Sequence, residues 1–448
     1  MILNGLILFL QVVGIGFLIY EKVFVERFRF IFTSWFLIIY YITLVLVPFV
    51  MAVSLGGFRR VNTVLEGQYF DLETVYILGA YQIVILIGFY IIRFLKYRSP
   101  LRVRVFYQEE LDFHFKVISL MPIIGIGLFL AAVGSNPYAL MLAGRFSWFN
   151  DPNANIFLVA ISQYFIAVVM LVCALFVVAT KTRVNVLVCI TCLLVVIGYS
   201  FLSLDRKFII FFVSGIFGGL YLKNNQTLKF SKTTIFLSVI LFAFMVISQM
   251  ARDLLARYLT IADMSPAEYL SDFVDKAVFF IEYGDISYFY RASLESIAIV
   301  VEQGVLSPGA LIIRNLLFFL PSSMSFGIKP PDISAIFSLY VNGEGGGRAG
   351  NMPPGLFGLY VTSFGVYLSA ILLVSVPLFL RFLDNLVIQS RVWAFALSGT
   401  CLSSIIFFMR GDDSTAIYFS VAVSLCFLCS MLMYRLSWGG RFLFKKVS

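Results

Sequence analysis

The apolar residues of this chain are gathered into long runs divided by short polar stretches, instead of recurring at the spacing of an amphipathic soluble helix. Runs of the length that crosses a bilayer, about 20 mainly apolar residues, lie at 2–20, 31–54, 75–93, 117–134, 155–180, 184–204, 208–222, 235–250, 356–380, 393–409 and 415–434. The pattern predicts an all-α polytopic membrane protein of about 11 transmembrane helices, within a range of about 10–14. Positions 1–250 form a transmembrane bundle of about eight spans, and 355–448 a bundle of about three spans with a tail. Between them lies 251–354, the only long segment that could not sit in hydrocarbon. The first run has no basic stretch before it and no small-residue cleavage site after it, so it is expected to be a retained helix.

The 251–354 segment reads as helical and external. Ser265 can cap, and Pro266 can enter the first turn of, a helix that carries mixed acidic and aromatic residues as far as Tyr290. SIAIVVEQGVLSPGALIIRNLLFFLP follows, apolar but interrupted by Glu302, Gly304 and Pro308. Its clean piece around Arg314 is too short to span and suits an interfacial or re-entrant helix. Pro321, Pro330 and Pro331 break any helix beyond it. In VNGEGGGRAGNMPPG no GK[ST] follows the glycines and no strand precedes them, which argues against a phosphate-binding P-loop. The run around Arg348 reads as a hinge or lid, with a plain surface loop as an equal alternative.

Composition agrees with the pattern: 61% hydrophobic, 13% charged, 17% aromatic, mean hydropathy +0.96. A soluble domain carries roughly 25% charged residues. The six cysteines (Cys173, Cys189, Cys192, Cys401, Cys426 and Cys429) all fall inside apolar runs. They read as small buried hydrophobes, with no partners for a metal or redox site. No internal repeat of the kind many secondary transporters carry is visible.

The formal charge of +9 becomes informative through its distribution. Every second loop is basic: Lys22, Arg27 and Arg29; then Arg93, Lys96, Arg98, Arg102, Arg104 and Lys116; then Lys181 and Arg183; then Lys223, Lys229 and Lys232; then Arg381 and Arg391; and finally Arg435, Arg441, Lys445 and Lys446 in the tail. Basic short loops stay on the cytoplasmic side. The amino terminus is therefore expected outside and the carboxyl terminus inside, with 251–354 facing outward. A second class of cations then remains on the outer side, where that rule gives no reason for them: Arg145, Arg206, Lys207, Arg252, Arg257, Arg291, Arg314, Arg348 and Arg410. Charges at a membrane boundary are costly unless paired, which makes this set a candidate site. For any one of them, snorkelling is an equally good explanation.

Guanidinium groups bind phosphate oxygens bidentately and keep their charge at any relevant pH. An outer cluster of them suits a polyanion whose tail lies in the bilayer, such as a lipid-linked diphosphate. The single histidine, His114, falls on the basic side, so a general base outside is a carboxylate or nothing. Asp412 and Asp413, beside Arg410, and Asp285, before Arg291, are the candidates. Arginines could stabilise a diphosphate leaving group without a metal or other cofactor. Carboxylate-held magnesium stays open on the residues alone. Tyr283, Tyr288 and Tyr290 could stack on sugars, or simply anchor at the interface.

Three stretches carry a resemblance: SLDRKFIIFFVSGIF; IIRNLLFFLPSSM with the later GRAGNMPPGLFGLYVTSFGVYLS; and MRGDDS between the last two spans. In layout, from about Leu204 onward, the chain resembles the Wzy-type bacterial oligosaccharide repeat-unit polymerases of O-antigen and enterobacterial common antigen synthesis. The resemblance implies a GT-C-like fold in the bacterial inner membrane and a periplasmic catalytic loop. It implies transfer of a growing glycan from its undecaprenyl diphosphate onto a new lipid-linked repeat unit. Arg206, Arg314 and Arg410 match the family's arginines and would contact diphosphate. Arg291 and Arg348 match less clearly, and Asp413 is the preferred acceptor-activating carboxylate, with Asp412 next. Arg145, Lys207, Arg252, Arg257 and Tyr290 are expected to bind substrate. Expected partners are undecaprenyl-diphosphate-linked glycans, membrane lipid and a chain-length regulator, with no nucleic acid.

The rivals are a lipid-linked oligosaccharide flippase or other transporter, an O-antigen ligase, a membrane O-acyltransferase and a non-enzymatic scaffold. As families, the ligase and acyltransferase are expected to depend on histidine, which the outer side lacks. A flippase needs charges through the midplane, where the apolar runs hold almost none.

Overall fold

The structure is a computed structural model that describes residues 2–46, 48–49, 70–94, 108–133, 155–203, 207–228, 285–317, 327–342 and 353–445. Among them there is no strand. The helices are α1 (Ile2–Ile19), α2 (Ile31–Tyr41), α3 (Leu72–Phe94), α4 (Gln108–Ile118), α5 (Leu120–Val133), α6 (Ile156–Ala167), α7 (Val169–Val178), α8 (Arg183–Ser203), α9 (Lys207–Lys223), α10 (Asp285–Gln303), α11 (Ala310–Leu316), α12 (Ile333–Asn342), α13 (Gly355–Leu372), α14 (Ser375–Gln389), α15 (Arg391–Ser398), α16 (Cys401–Arg410) and α17 (Asp413–Lys445). They fall into two units: residues 1–99, 278–385 and 404–418 form one, and 100–277, 386–403 and 419–448 the other.

In the first unit α1 packs on α2 and α3, and α10 lies along α13 with α3 beside both. One end of this unit is tied by charge. Arg93 Nε lies 3.2 Å from the Glu21 carboxylate as an ion pair, Glu26 accepts from Lys22 at 2.9 Å, and the Ile92 carbonyl accepts from Arg381 at 2.6 Å. Buried Asp384 takes the Phe32 and Thr33 amides at 2.8 and 3.1 Å and the Thr33 hydroxyl at 2.6 Å. These are the orphan donors of the first turn of α2, so α14 supplies that helix with its N-terminal acceptor.

In the second unit α9 lies against α7 and α5 against α6. Here Asp112 accepts from the Thr180 hydroxyl at 2.5 Å and Glu110 from Arg391 at 3.0 Å. His114, fully buried, places Nδ1 2.8 Å from the Ser430 hydroxyl. In both units the tied ends belong to the loops whose basic residues set them on one side in the sequence: the first, third and ninth in one unit, and the third, fifth and ninth in the other.

Six helices among the described residues are long and apolar enough to cross a membrane: Leu72–Phe94, Gln108–Val133, Phe157–Val178, Arg183–Ser200, Gly355–Leu372 and Thr415–Ser437. A seventh is added if Arg391–Ser398 and Cys401–Arg410, bent by 55°, form one broken span. The chain is thus an all-α membrane protein, with fewer such helices than the 11 apolar runs. Of the run at 31–54 the described helical stretch is Ile31–Leu46, 208–222 lies in a helix of 17 residues, and 235–250 lies outside the described residues.

Candidate functional site

Helix α13 acts as a ruler for the first unit. Its start follows Pro353 and Pro354, and α10 grips both of their carbonyls. The Tyr288 hydroxyl donates to Pro353 O at 2.8 Å, and the Ser296 hydroxyl to Pro354 O at 3.2 Å. Further along, the helix breaks at Gly365, where φ is +72° and ψ 178°. That backbone region is essentially open to glycine only. The break exposes carbonyls to new donors. Ser307 N–H bonds Thr362 O at 3.1 Å, Gly309 N–H bonds Ser363 O at 2.9 Å, and the Tyr81 hydroxyl bonds Val366 O at 2.6 Å. The loop between α10 and α11 is thereby fixed at Thr362 and Ser363, roughly 11–12 Å along α13 from Gly355. Helices α10 and α11 are joined by a short connection that these bonds hold against α13.

From that anchor α11 turns back, carrying Arg314. Its guanidinium donates to the Asp332 carboxylate at 2.8 Å and to the Pro330 carbonyl at 3.0 Å. Asp332 uses its other oxygen to accept the Ser334 amide at 2.9 Å, and so caps α12. The Ser334 hydroxyl in turn lies 3.5 Å from the carbonyl oxygen of Gly411. Gly411, at φ +88°, is the corner between α16 and α17. It packs backbone to backbone on Gly355: a Cβ there would sit 2.5 Å from the Gly355 nitrogen. Arg314, Asp332, Pro354–Gly355 and the Arg410–Asp412 corner are therefore joined in one place, through KPPDIS.

Arg410 ends α16, and its Nε is buried without a hydrogen-bond partner among the described residues. Asp412 accepts the Thr415 amide at 3.2 Å and caps α17. Burial raises its carboxyl above the ordinary range and neighbouring Asp332 adds to that, while the bond from Thr415 and the charge of Arg410 oppose it. A carboxyl so placed is a better proton acceptor than a free aspartate. Lys329 completes the strap: its Nζ is 3.3 Å from the Tyr418 hydroxyl and 5.9 Å from that ring's centroid.

The other expected residues lie elsewhere. Arg291 is 6% exposed on α10, one turn before the fully buried Glu295. Tyr290, 7% exposed, is an electrostatic neighbour of Tyr40 inside the bundle. Lys207, in the second unit, donates to Gln163 at 2.9 Å beside Phe208 and Phe419. Arg145, Arg206, Arg252, Arg257 and Arg348 lie outside the described residues, as does the side chain of Asp413. Asp332, Ser334, Lys329 and Tyr418 were not singled out from the sequence. A lysine directly before Pro-Pro-Asp was the only signal, and it reads first as a helix break.

No family model, curated protein or solved structure matches the chain.

Proposed function

We propose that this protein is a polymerase of the Wzy type, joining undecaprenyl-diphosphate-linked oligosaccharide repeat units at the outer face of the bacterial inner membrane. The observation that carries the reading is the meeting of Arg314, Gly355 and the Arg410–Asp412 corner in one unit. Of the stretches with polymerase resemblance, these belong to IIRNLL, MPPG and MRGDDS. They lie at the start of α13, whereas the basic-loop ties lie beyond its end at Arg381.

In the reaction a hydroxyl of the incoming repeat unit attacks the anomeric carbon of the growing chain. A new glycosidic C–O bond forms, and the bond to the diphosphate oxygen breaks. The diphosphate departs with the electron pair, and the hydroxyl proton passes to a carboxylate. Arg410 and Arg314 stabilise the charge that develops on the leaving group. Asp412, or Asp413 beside it, receives the proton. Asp332 holds the Arg314 fork in place, which is the pre-organisation such stabilisation requires.

The glycan profile of a strain lacking the gene, run beside the complemented strain, tests this. A lost polymer ladder with a single repeat unit still on its acceptor supports the reading. Loss of the single unit as well points to a flippase. One observation favours that second reading: broken membrane helices are a transporter feature, and α13 breaks at Gly365. Against it, the carbonyls of Thr362, Ser363 and Val366 at the break already have donors from the protein.

A further inference from the structure

Independently of the polymerase reading, we infer that the first unit carries a docking site for one anionic phospholipid, whose phosphate is taken by Arg27 and Arg93 and whose acyl chain lies along Phe17, Tyr20 and Phe24. The apolar part comes from α1 and the turn after it. Phe17, Tyr20 and Phe24 recur at the three- and four-residue spacing of one helical face, and all three are exposed. The Tyr20 and Phe24 rings stack at 6.0 Å. Past α1 the chain widens into a π-helical turn, Tyr20–Val25, closed by the Glu26 amide on the Glu21 carbonyl at 2.8 Å. Such turns are rare and frequent at functional sites. Arg27 and Phe28 then take left-handed backbone at φ +52° and +57°, which is strained for residues with a Cβ. Phe28 holds the turn from inside: it is fully buried, its ring 5.2 Å from that of Trp35. Arg27 is left exposed at the rim.

The cationic part joins the apolar one at Phe17. The Arg93 guanidinium lies over that ring, 5.2 Å from its centroid, and its Nε pairs with Glu21 at 3.2 Å. Ring and carboxylate together fix the plane of the fork, and a phosphate takes such a fork through two nitrogens at once. What this end exposes is positive. The Arg93 side chain is 40% exposed and Arg27 lies open, whereas the carboxylates beside them, Glu21 and Glu26, are 18% and 24% exposed and Asp384 is buried. Arg29, half-buried over the Phe30 ring, has the same sign as Arg27. Exposed aromatic rings beside arginines belong at the headgroup level of a bilayer, the rings toward the acyl chains and the charges toward phosphate. A zwitterionic headgroup brings its own ammonium, which two arginines repel. Phosphatidylglycerol presents the phosphate without one, and anionic headgroups are what clustered arginines at a membrane surface attract.

The test is native mass spectrometry of the full chain in detergent, titrated with phosphatidylglycerol, with phosphatidylcholine as the zwitterionic probe and inorganic phosphate as competitor. The wild type is expected to bind its first phosphatidylglycerol about tenfold more tightly than phosphatidylcholine. Arg27→Gln combined with Arg93→Gln should bring that preference to within about twofold and still melt near the wild type, since an exposed ion pair such as Arg93–Glu21 adds little stability. Arg183→Gln, which removes an exposed arginine of the second unit, should keep the preference. Equal affinity for the two lipids in the wild type overturns the site, as does a preference that survives the double substitution or that Arg183→Gln removes as well. Displacement of the bound lipid by inorganic phosphate also overturns it, because the free ion would then be the ligand. Should the double variant not fold, phenylglyoxal modification of the wild type followed by peptide mass spectrometry decides. Slower modification of Arg27 and Arg93 in phosphatidylglycerol than in phosphatidylcholine supports the site, and equal rates overturn it.

Discussion

Gly411 and Gly355 meet with no room for a side chain between them: a Cβ on Gly411 would lie 2.5 Å from the nitrogen of Gly355 and 2.8 Å from its oxygen. This contact seats the Arg410–Asp412 corner on the start of α13. Since Gly411 also sits at φ +88°, Gly411→Ala combines a clash with a left-handed backbone, at a cost of about 2 kcal/mol or more. A lower thermal midpoint in detergent, with loss of polymer from cells that still contain the protein, is the expected result. Normal polymer length and melting would show that the corner is not held this way.

The Arg314–Asp332 pair, with side chains 15% and 23% exposed, separates charge from geometry. Arg314→Lys keeps the charge but loses the two-pronged contact with Pro330 and Asp332. It should fold and yield short or no polymer. Asp332→Ala removes both the partner of Arg314 and the cap of α12, about 2 kcal/mol together once solvent screening is allowed for. Asp332→Asn keeps the cap and should cost about 1 kcal/mol less in a melting series.

Asp412 distinguishes a helix cap from a base. Asparagine caps as well as aspartate, so Asp412→Asn should preserve folding. Burial already disfavours the charged form of this carboxyl, and removing the charge should make the variant at least as stable as the wild type at neutral pH. Polymer should nevertheless be lost if the carboxylate takes the acceptor proton. A fully active Asp412→Asn would pass that role to Asp413.

On the opposite end of the unit, burial pushes Asp384 up to about 7 despite three hydrogen bonds from Phe32 and Thr33 and the charge of Lys22. Because the folded form holds its proton longer than the unfolded chain, its contribution is full below the unfolded value of 3.8 and is lost as pH rises to about 7. Melting curves across that window should show the wild type losing more stability than Asp384→Asn. Asp384→Ala, which strips the first turn of α2 of its acceptor, should cost about 2 kcal/mol at acid pH and less as pH rises to about 7.

Much of this architecture is legible in the sequence because bilayer-length apolar runs and basic loops are strong signals. The runs at 75–93, 117–134, 155–180, 184–204, 356–380 and 415–434 correspond to helices long enough to cross, and the piece around Arg314 to a helix of seven residues. Other features leave no such mark. Helix α10 carries Asp285, Arg291, Glu295 and Glu302, so hydropathy hides that it runs beside α13. The break at Gly365 looks like any glycine in an apolar run until Ser307 and Gly309 supply its donors. The tie from Arg314 to Asp332 spans a separation of 18 residues and three prolines, which periodicity does not report. Arg291 becomes a site candidate through its place in the 251–354 segment, and that its helix buries it is not visible from the sequence.

The most direct measurement of the central claim is polymerisation by purified protein in proteoliposomes supplied only with undecaprenyl-diphosphate-linked repeat units. The account predicts a ladder of products with release of undecaprenyl diphosphate from the wild type, and neither from Arg314→Ala or Arg410→Ala at equal protein. A ladder of normal length from both variants, or no ladder from a wild type that instead moves the intact lipid-linked unit across the bilayer, would contradict it.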